Sequence, residues 1–306
     1  MFDSMLGAIE LGLLYSLMAL GVYITFRILD FPDLTVDGSF TTGGGVAAVM
    51  LTNGYSPWLA VIVAFLAGAA AGACTGLLHT KGKINGLLSG ILMMIALYSI
   101  NMRIMGKPNI SLLRIDTVLT PFSSVWVKLI VLAVVIFLIK LLLDLFFRTD
   151  LGMSLRATGD NARMIRSFGA NTDNTKILGI ALSNGLVALS GSLIAQQSGA
   201  DISMGIGMIV IGLASVIIGE AIFGARAVFW ATLAAIVGSI IYRVVVALAL
   251  RVEWLDTSDL KIITAVIVII ALTLPSVRRT IKQKSAAKKR ASQLTAMSQQ
   301  AGGTRS

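Results

Sequence analysis

Asp30, Asp33 and Asp37 fall within Asp30-Phe31-Pro32-Asp33-Leu34-Thr35-Val36-Asp37-Gly38-Ser39, between two apolar runs with no long polar loop, and Glu220 interrupts a later run. A carboxylate in hydrocarbon is costly and needs a partner or water, so acids at such positions mark ion or solute pathways. Pro32 and Gly38 break a helix, and irregular backbone at membrane depth is tolerated only inside protein or along a wet cavity. The segment predicts a discontinuous helix near residues 30–40; the plainer alternative is a surface turn, where Asp and Pro are common. Asn101, Asn184, Gln196 and Gln197 add neutral hydrogen-bonding groups that either line a pathway or join helices. These residue types offer binding and passage, not bond making.

A second polar stretch runs Arg156-Ala157-Thr158-Gly159-Asp160-Asn161-Ala162-Arg163 and on to Phe168-Gly169-Ala170-Asn171. Met164, Ile165 and Phe168 recur at helical spacing between Gly turns, with Arg163 and Arg166 flanking. That pattern predicts a short amphipathic helix that offers an apolar knob to a soluble partner's groove. Enzymatic motifs are missing. Gly76 to Lys83 imitates a phosphate loop, but its spacing is one residue too long and Ile84 stands where the Mg²⁺-binding Ser/Thr belongs. One His (His79, read as interfacial), one Cys (Cys74, read as a small packing residue) and no His-Glu-x-x-His give no metal site, and no cofactor is expected. No Gly-x-Ser-x-Gly elbow is present. The chain reads as non-catalytic.

The elements that hold these residues are long apolar runs. Trp58–Leu78, Ile84–Met102 and Ile177–Ala200 contain no charged residue, and each nears the roughly 20 residues a helix needs to cross a bilayer. With 56% apolar and 13% charged residues, against about 25% charged in soluble domains, the chain is expected to be an all-α, polytopic transmembrane bundle. Runs at about 4–26, 38–52, 58–78, 84–102, 125–147, 177–198, 207–223, 227–250 and 257–277 give eight to ten helices. Residues 1–277 form the membrane domain, with a cytoplasmic coupling segment at 148–176. Met1–Met5 lacks the pattern of a removed signal peptide.

Of the net charge of +10, eight positive charges (Arg278, Arg279, Lys282, Lys284, Lys288, Lys289, Arg290 and Arg305) follow the last run, leaving +2 for the rest. A basic tail over 278–306 reads as a cytoplasmic anchor near anionic lipid, not as a nucleic-acid binder. Lys81, Lys83, the Arg148–Lys176 stretch and Arg226 share its side, so the C-terminus is expected in the cytoplasm and the N-terminus outside. Glu220 is expected near the cytoplasmic end with Arg226 as its partner. Arg243 is free to snorkel outward.

The chain resembles the permease subunits of ATP-binding-cassette importers of the branched-chain amino acid and ribose type. Asp33-Leu34-Thr35-Val36-Asp37-Gly38-Ser39 is similar to that family's Asp-Leu-Ser-Val-Gly-Ser segment, with Asp37 as an extra residue. Arg156, Ala157, Gly159, Asn161 and Gly169 fit its cytoplasmic Arg-Ala-x-Gly-x-Asn stretch, with Ile165 in place of a small residue, and Gly219 to Arg226 resembles its later Gly-rich turn. The resemblance covers residues 10 to 275 and is nearest to permeases of importers for tryptophan and other aromatic amino acids. It implies coupling to an ATPase through Arg156, Gly159, Asn161, Ile165, Phe168 and Gly169. The implied pathway includes Asp33, Thr35, Asp37, Ser39, Asn101, Asn184 and Glu220. The implied partners are a cytoplasmic ATP-binding dimer, an extracytoplasmic solute-binding protein or lipoprotein, and a second permease copy in a homodimer in the cell membrane. The alternative is a secondary transporter driven by H⁺ or Na⁺, with Asp33, Asp37 or Glu220 as the coupling carboxylate.

Overall fold

The computed structural model describes residues 2–113, 115–122, 124–224 and 227–249, with 262, 265, 266, 269 and 273 beyond them. Helix α1 (Phe2–Val22) runs on into a π-helical stretch, Tyr23–Ile28. It stops there because Leu29 N–H turns back to the Ile24 carbonyl (3.0 Å) and Phe31 N–H to that of Thr25 (2.9 Å), while Asp30 takes φ 49° and Pro32 has no amide to donate. Helix α2 (Thr35–Thr52) then begins. The helix break expected near residues 30–40 is present.

The chain continues through α3 (Pro57–Thr80), α4 (Gly86–Met105), α5 (Val125–Phe146), α6 (Asp150–Ser167), α7 (Thr172–Ser198), α8 (Met208–Phe223) and α9 (Val228–Ala249). Among the described residues this is a polytopic bundle of nine helices. Six stretches are long and apolar enough to cross a membrane: Ser4–Ile28, Pro57–Thr80, Gly86–Met105, Val125–Phe146, Thr172–Ser198 and Val228–Ala249. Helix α8, at 16 residues, is shorter than a span. The 257–277 run lies outside the described residues except for the five positions named, and the basic tail, 278–306, lies wholly outside them. One departure from an all-helical chain is a ribbon of two-residue strands, β1 (Asn109–Ile110) and β2 (Ala200–Asp201), paired antiparallel in the loops. Strands this short leave no trace in hydropathy.

Helix α7 is the hub, touching α1, α2, α3 and α6. It lies antiparallel to α3, with Gly76 on Ile177 and Gly68 on Asn184 and Ala188. At Gly43 a methyl group would strike the Ala188 carbonyl, so α2 rests backbone to backbone on α7. Such approach, possible only with small residues, replaces the hydrophobic drive that lipid removes. Hydroxyls add to it: Ser183 donates to the Gly21 carbonyl (2.6 Å), Ser190 to that of Leu14 (2.8 Å) and Ser239 to that of Gly12 (2.8 Å). Cys74 is exposed, not packed.

Helix α5 is peripheral and touches α1 and α9. Two charged clamps hold it. Lys128 meets the buried Glu10 of α1 at 3.3 Å, and the fully buried Lys140 meets Asp144, one turn on in α5 itself, at 2.5 Å, a pair that acts on α9 as a unit. Asp144 also accepts from Thr232 of α9 (2.8 Å), and the Lys140 ammonium lies 3.1 Å from the Phe229 ring centroid.

Candidate functional site

Two helices begin inside the bundle, and an aspartate closes each start. Asp33, fully buried, accepts from the Thr35 N–H (2.9 Å), the first amide of α2. Its other oxygen accepts from Asn184 Nδ2 of α7 (2.6 Å). Asp37, one turn on, reaches across to α8, where its two oxygens accept from Gly207 N–H (2.9 Å) and Ile209 N–H (2.8 Å). Helix α8 starts well inside the bundle, since Gly212 lies against Val22 of α1 and Glu220 reaches Arg27. Both carboxylates therefore sit at the positive ends of helix dipoles, which favours their charge. Among the described residues neither has a cationic partner.

Neutral groups close around this pair. The hydroxyls of Thr35 and Thr75 meet at 2.8 Å, Asn101 Nδ2 of α4 donates to the Gly38 carbonyl (3.2 Å), and Gly205 N–H donates to Thr41 (3.1 Å). Three atoms in this region, Ser39 Oγ, Asn101 Oδ1 and Asn184 Oδ1, are buried without a hydrogen-bond partner in the structure. An orphaned polar atom costs free energy, so such positions call for water or a polar solute. Beside them Phe40 stacks on Tyr15 (5.9 Å between centroids), and the Arg243 guanidinium lies over the Tyr15 ring at 3.8 Å. Arg243 is engaged with the bundle instead of snorkelling outward.

Not every expected pathway residue joins the cluster. Asp33, Thr35, Asp37, Ser39, Asn101 and Asn184 do; Glu220 does not. It lies eleven residues past Ile209 along α8, about 17 Å at 1.5 Å per residue, and pairs with Arg27 (2.7 Å). Arg226, the partner expected for it, lies outside the described residues. Gln196 instead holds the loop, accepting from Val118 N–H (2.9 Å). The phosphate-loop imitation dissolves into α3, which is helical to Thr80, with His79 edge-on to Phe31 (5.1 Å). Sequence reading missed Arg27, Lys140 and Asp144. The signal for the last two was an opposite-charge pair at i, i+4 in an otherwise apolar run.

At the end of the bundle where α1 stops, α6 divides into two parts. Its first part packs inward through Leu155 and Thr158, and Gly159 lies so close to Ile28 and Leu29 that a methyl group would strike the Ile28 carbonyl. Asn161 then leaves helical geometry (φ −158°, ψ 88°) and its Oδ1 accepts from Met164 N–H (3.1 Å), which restarts a short helix. That second part projects: Met164 is 53% and Phe168 74% exposed, and Ile165 is half-buried. Gly169, at φ 84°, turns the chain toward α7. Arg166 braces the turn by donating to Thr172 (2.6 Å) and Asp173 (3.1 Å). Exposed Arg156 and Asp160 line a cavity of about 270 Å³ with Tyr23, Arg27 and Glu220.

The chain matches the family described as "Branched-chain amino acid transport system / permease component" over residues 4–273. The chain belongs to this family. It is the permease of an ATP-binding-cassette importer, a transport component whose ATP hydrolysis falls to a separate subunit. It is 48% identical over 276 residues to the "Tyrosine transport system permease protein" of Clostridioides difficile (strain R20291), covering 90% of this chain and 92% of that one. It is 27% identical over 216 residues to the "Ribose import permease protein RbsC" of Escherichia coli (strain K12), covering 67% and 65%. Its fold is similar to that of "PsaBC from Streptococcus pneumoniae in complex with Fab", with TM-score 0.52, 13% identity, and coverage of 88% and 89%.

Proposed function

We propose that this permease imports an amino acid, with an aromatic one favoured, and that the paired helix starts around Asp33 and Asp37 line its route. The supporting observation is the concentration of buried, unpartnered polar atoms at Ser39, Asn101 and Asn184 beside two capped helix ends. The 48% identity to a tyrosine system permease favours an aromatic cargo over a sugar. The positive-inside rule puts the α6 end in the cytoplasm, and Glu220 with Arg27 then stands at the inner mouth of the route. Two copies pair about a two-fold axis, the commonest closed symmetry. A cytoplasmic ATPase dimer grips α6, and a solute-binding protein delivers cargo to the opposite face.

Coupling follows from the division of α6. Phe168, Met164 and Ile165 enter the ATPase groove, Asn161 and Gly169 shape the elbow, and Arg156 meets the ATPase at its edge. Gly159 passes the motion inward, because its backbone abuts the Ile28–Leu29 turn that leads to Asp33. Reconstituted with its ATPase and receptor, the permease should take up tyrosine, tryptophan or phenylalanine in preference to leucine or ribose; preferential ribose uptake would sink the amino-acid reading. Phe168→Asp should abolish ATPase co-purification with stability unchanged within about 0.5 kcal/mol, as expected of an exposed position. Intact co-purification would remove α6 as the handle.

A further inference from the structure

The cavity of about 270 Å³ at the α6 end of the bundle is walled by Tyr23 and Arg27 from the π-helical end of α1, Arg156 and Asp160 of α6, Glu220 of α8 and Val228 of α9. Its charged side chains balance, two positive and two negative. One pair is already closed, because Arg27 Nε donates to Glu220 at 2.7 Å. Arg156 and Asp160 stand one turn apart on the same face of α6, ahead of the break at Asn161. Among the described residues neither is in an ion pair. Basic before acidic is the poorer order for an i, i+4 pair within a helix, so the two are free to take an outside partner.

A second cavity, of about 340 Å³, shares Arg156, Ala227 and Val228 with the first and adds the rings of Phe147 and Phe229. Of its two further charges, Asp144 is held by Lys140 and Arg148 is exposed. A ligand with both signs of charge at one end and an aromatic ring at the other matches the two cavities together. We propose that they form a binding site for the free α-amino acid at the inner mouth, where Arg156 takes the α-carboxylate, Asp160 the α-ammonium, and Phe147 and Phe229 flank the ring. This rests on the reading of the cargo as an aromatic amino acid. Charge-assisted hydrogen bonds at both ends hold the zwitterion. A simple anion would meet Asp160 and a simple amine would meet Arg156, so like-charge contact disfavours each.

Isothermal titration calorimetry of the purified full chain in detergent, with neither ATPase nor receptor present, tests this. L-Phenylalanine should bind about tenfold more tightly than phenethylamine, which lacks the carboxylate, or 3-phenylpropionate, which lacks the ammonium. Asp160→Asn should bring L-phenylalanine down to the 3-phenylpropionate level, and Arg156→Gln should bring it down to the phenethylamine level. Ala227→Trp, at an exposed position in the wall common to both cavities, should block L-phenylalanine while leaving both charges in place. No binding of L-phenylalanine, or equal binding of the three compounds, overturns the proposal. Affinity unchanged by Asp160→Asn and Arg156→Gln also overturns it, because the amino acid would then sit elsewhere in the bundle. The cargo reading fails separately, by preferential ribose uptake in the reconstituted importer.

Discussion

Helices α5 and α7 invert the rule learned from soluble proteins. The more apolar α5 is the less enclosed, with 33% of its central window buried, while α7, dotted with Ser, Asn and Gln, is 72% buried. Lipid is as apolar as leucine, so extra leucines gain nothing by turning inward. Polar side chains must turn inward to find partners. Helix α7 is held by backbone approach and hydroxyl bonds, α5 by one ion pair to α1 and by the contacts of the Lys140–Asp144 pair with Thr232 and Phe229 of α9. One helix is fixed by shape, the other by charge.

The largest effect should come from breaking the charge side of that contrast. Lys140→Met leaves Asp144 buried without its cation and should cost about 3–5 kcal/mol of stability; the double variant Lys140→Met with Asp144→Leu should recover most of it in detergent thermal unfolding. If the single variant proved neutral, the Lys140–Asp144 pair would not be what seats α5 on α9. Next comes the shape side. Gly43→Leu, which forces α2 off α7, should cost about 1–3 kcal/mol or more, whereas Leu145→Ala on the exposed face of α5 should stay within about 0.5 kcal/mol.

The smallest effect belongs to the ribbon. The Ser203 hydroxyl and N–H, with Asn109, hold the Asp201 carboxyl below the usual carboxylate range. Its folded value is depressed, so it stabilises above the ordinary carboxylate pKa of about 4 and loses that contribution as pH falls through the folded value. The wild-type advantage over Asp201→Asn should therefore shrink on acidification. An advantage that held constant with pH would show that the ribbon does not depend on this charge.

The long spans were legible because hydropathy and length suffice for them, and the break at Asp30–Ser39 was legible because Pro32 and Gly38 forbid a continuous helix. The elbow at Asn161 was half legible. Spacing announced Met164 and Phe168 as a projecting face, but nothing local told that Gly159 faces inward onto Ile28. What escaped were partnerships across long separations. Arg27 and Glu220 stand 193 residues apart, and Asp37 and Ile209 stand 172 apart; a single sequence gives each charge without its mate. Lys140 and Asp144 escaped for another reason: two opposite charges hardly dent the average of a strongly apolar run.

The cap that Asp37 places on α8 constrains how this permease can open. Pulling α2 away would break two charge-assisted hydrogen bonds, at roughly 1–3 kcal/mol each, and would leave the carboxylate without those donors. Those two helices must therefore travel together as one rigid body. The seam along which the molecule parts to change its exposed side has to run elsewhere, around this pair and not through it.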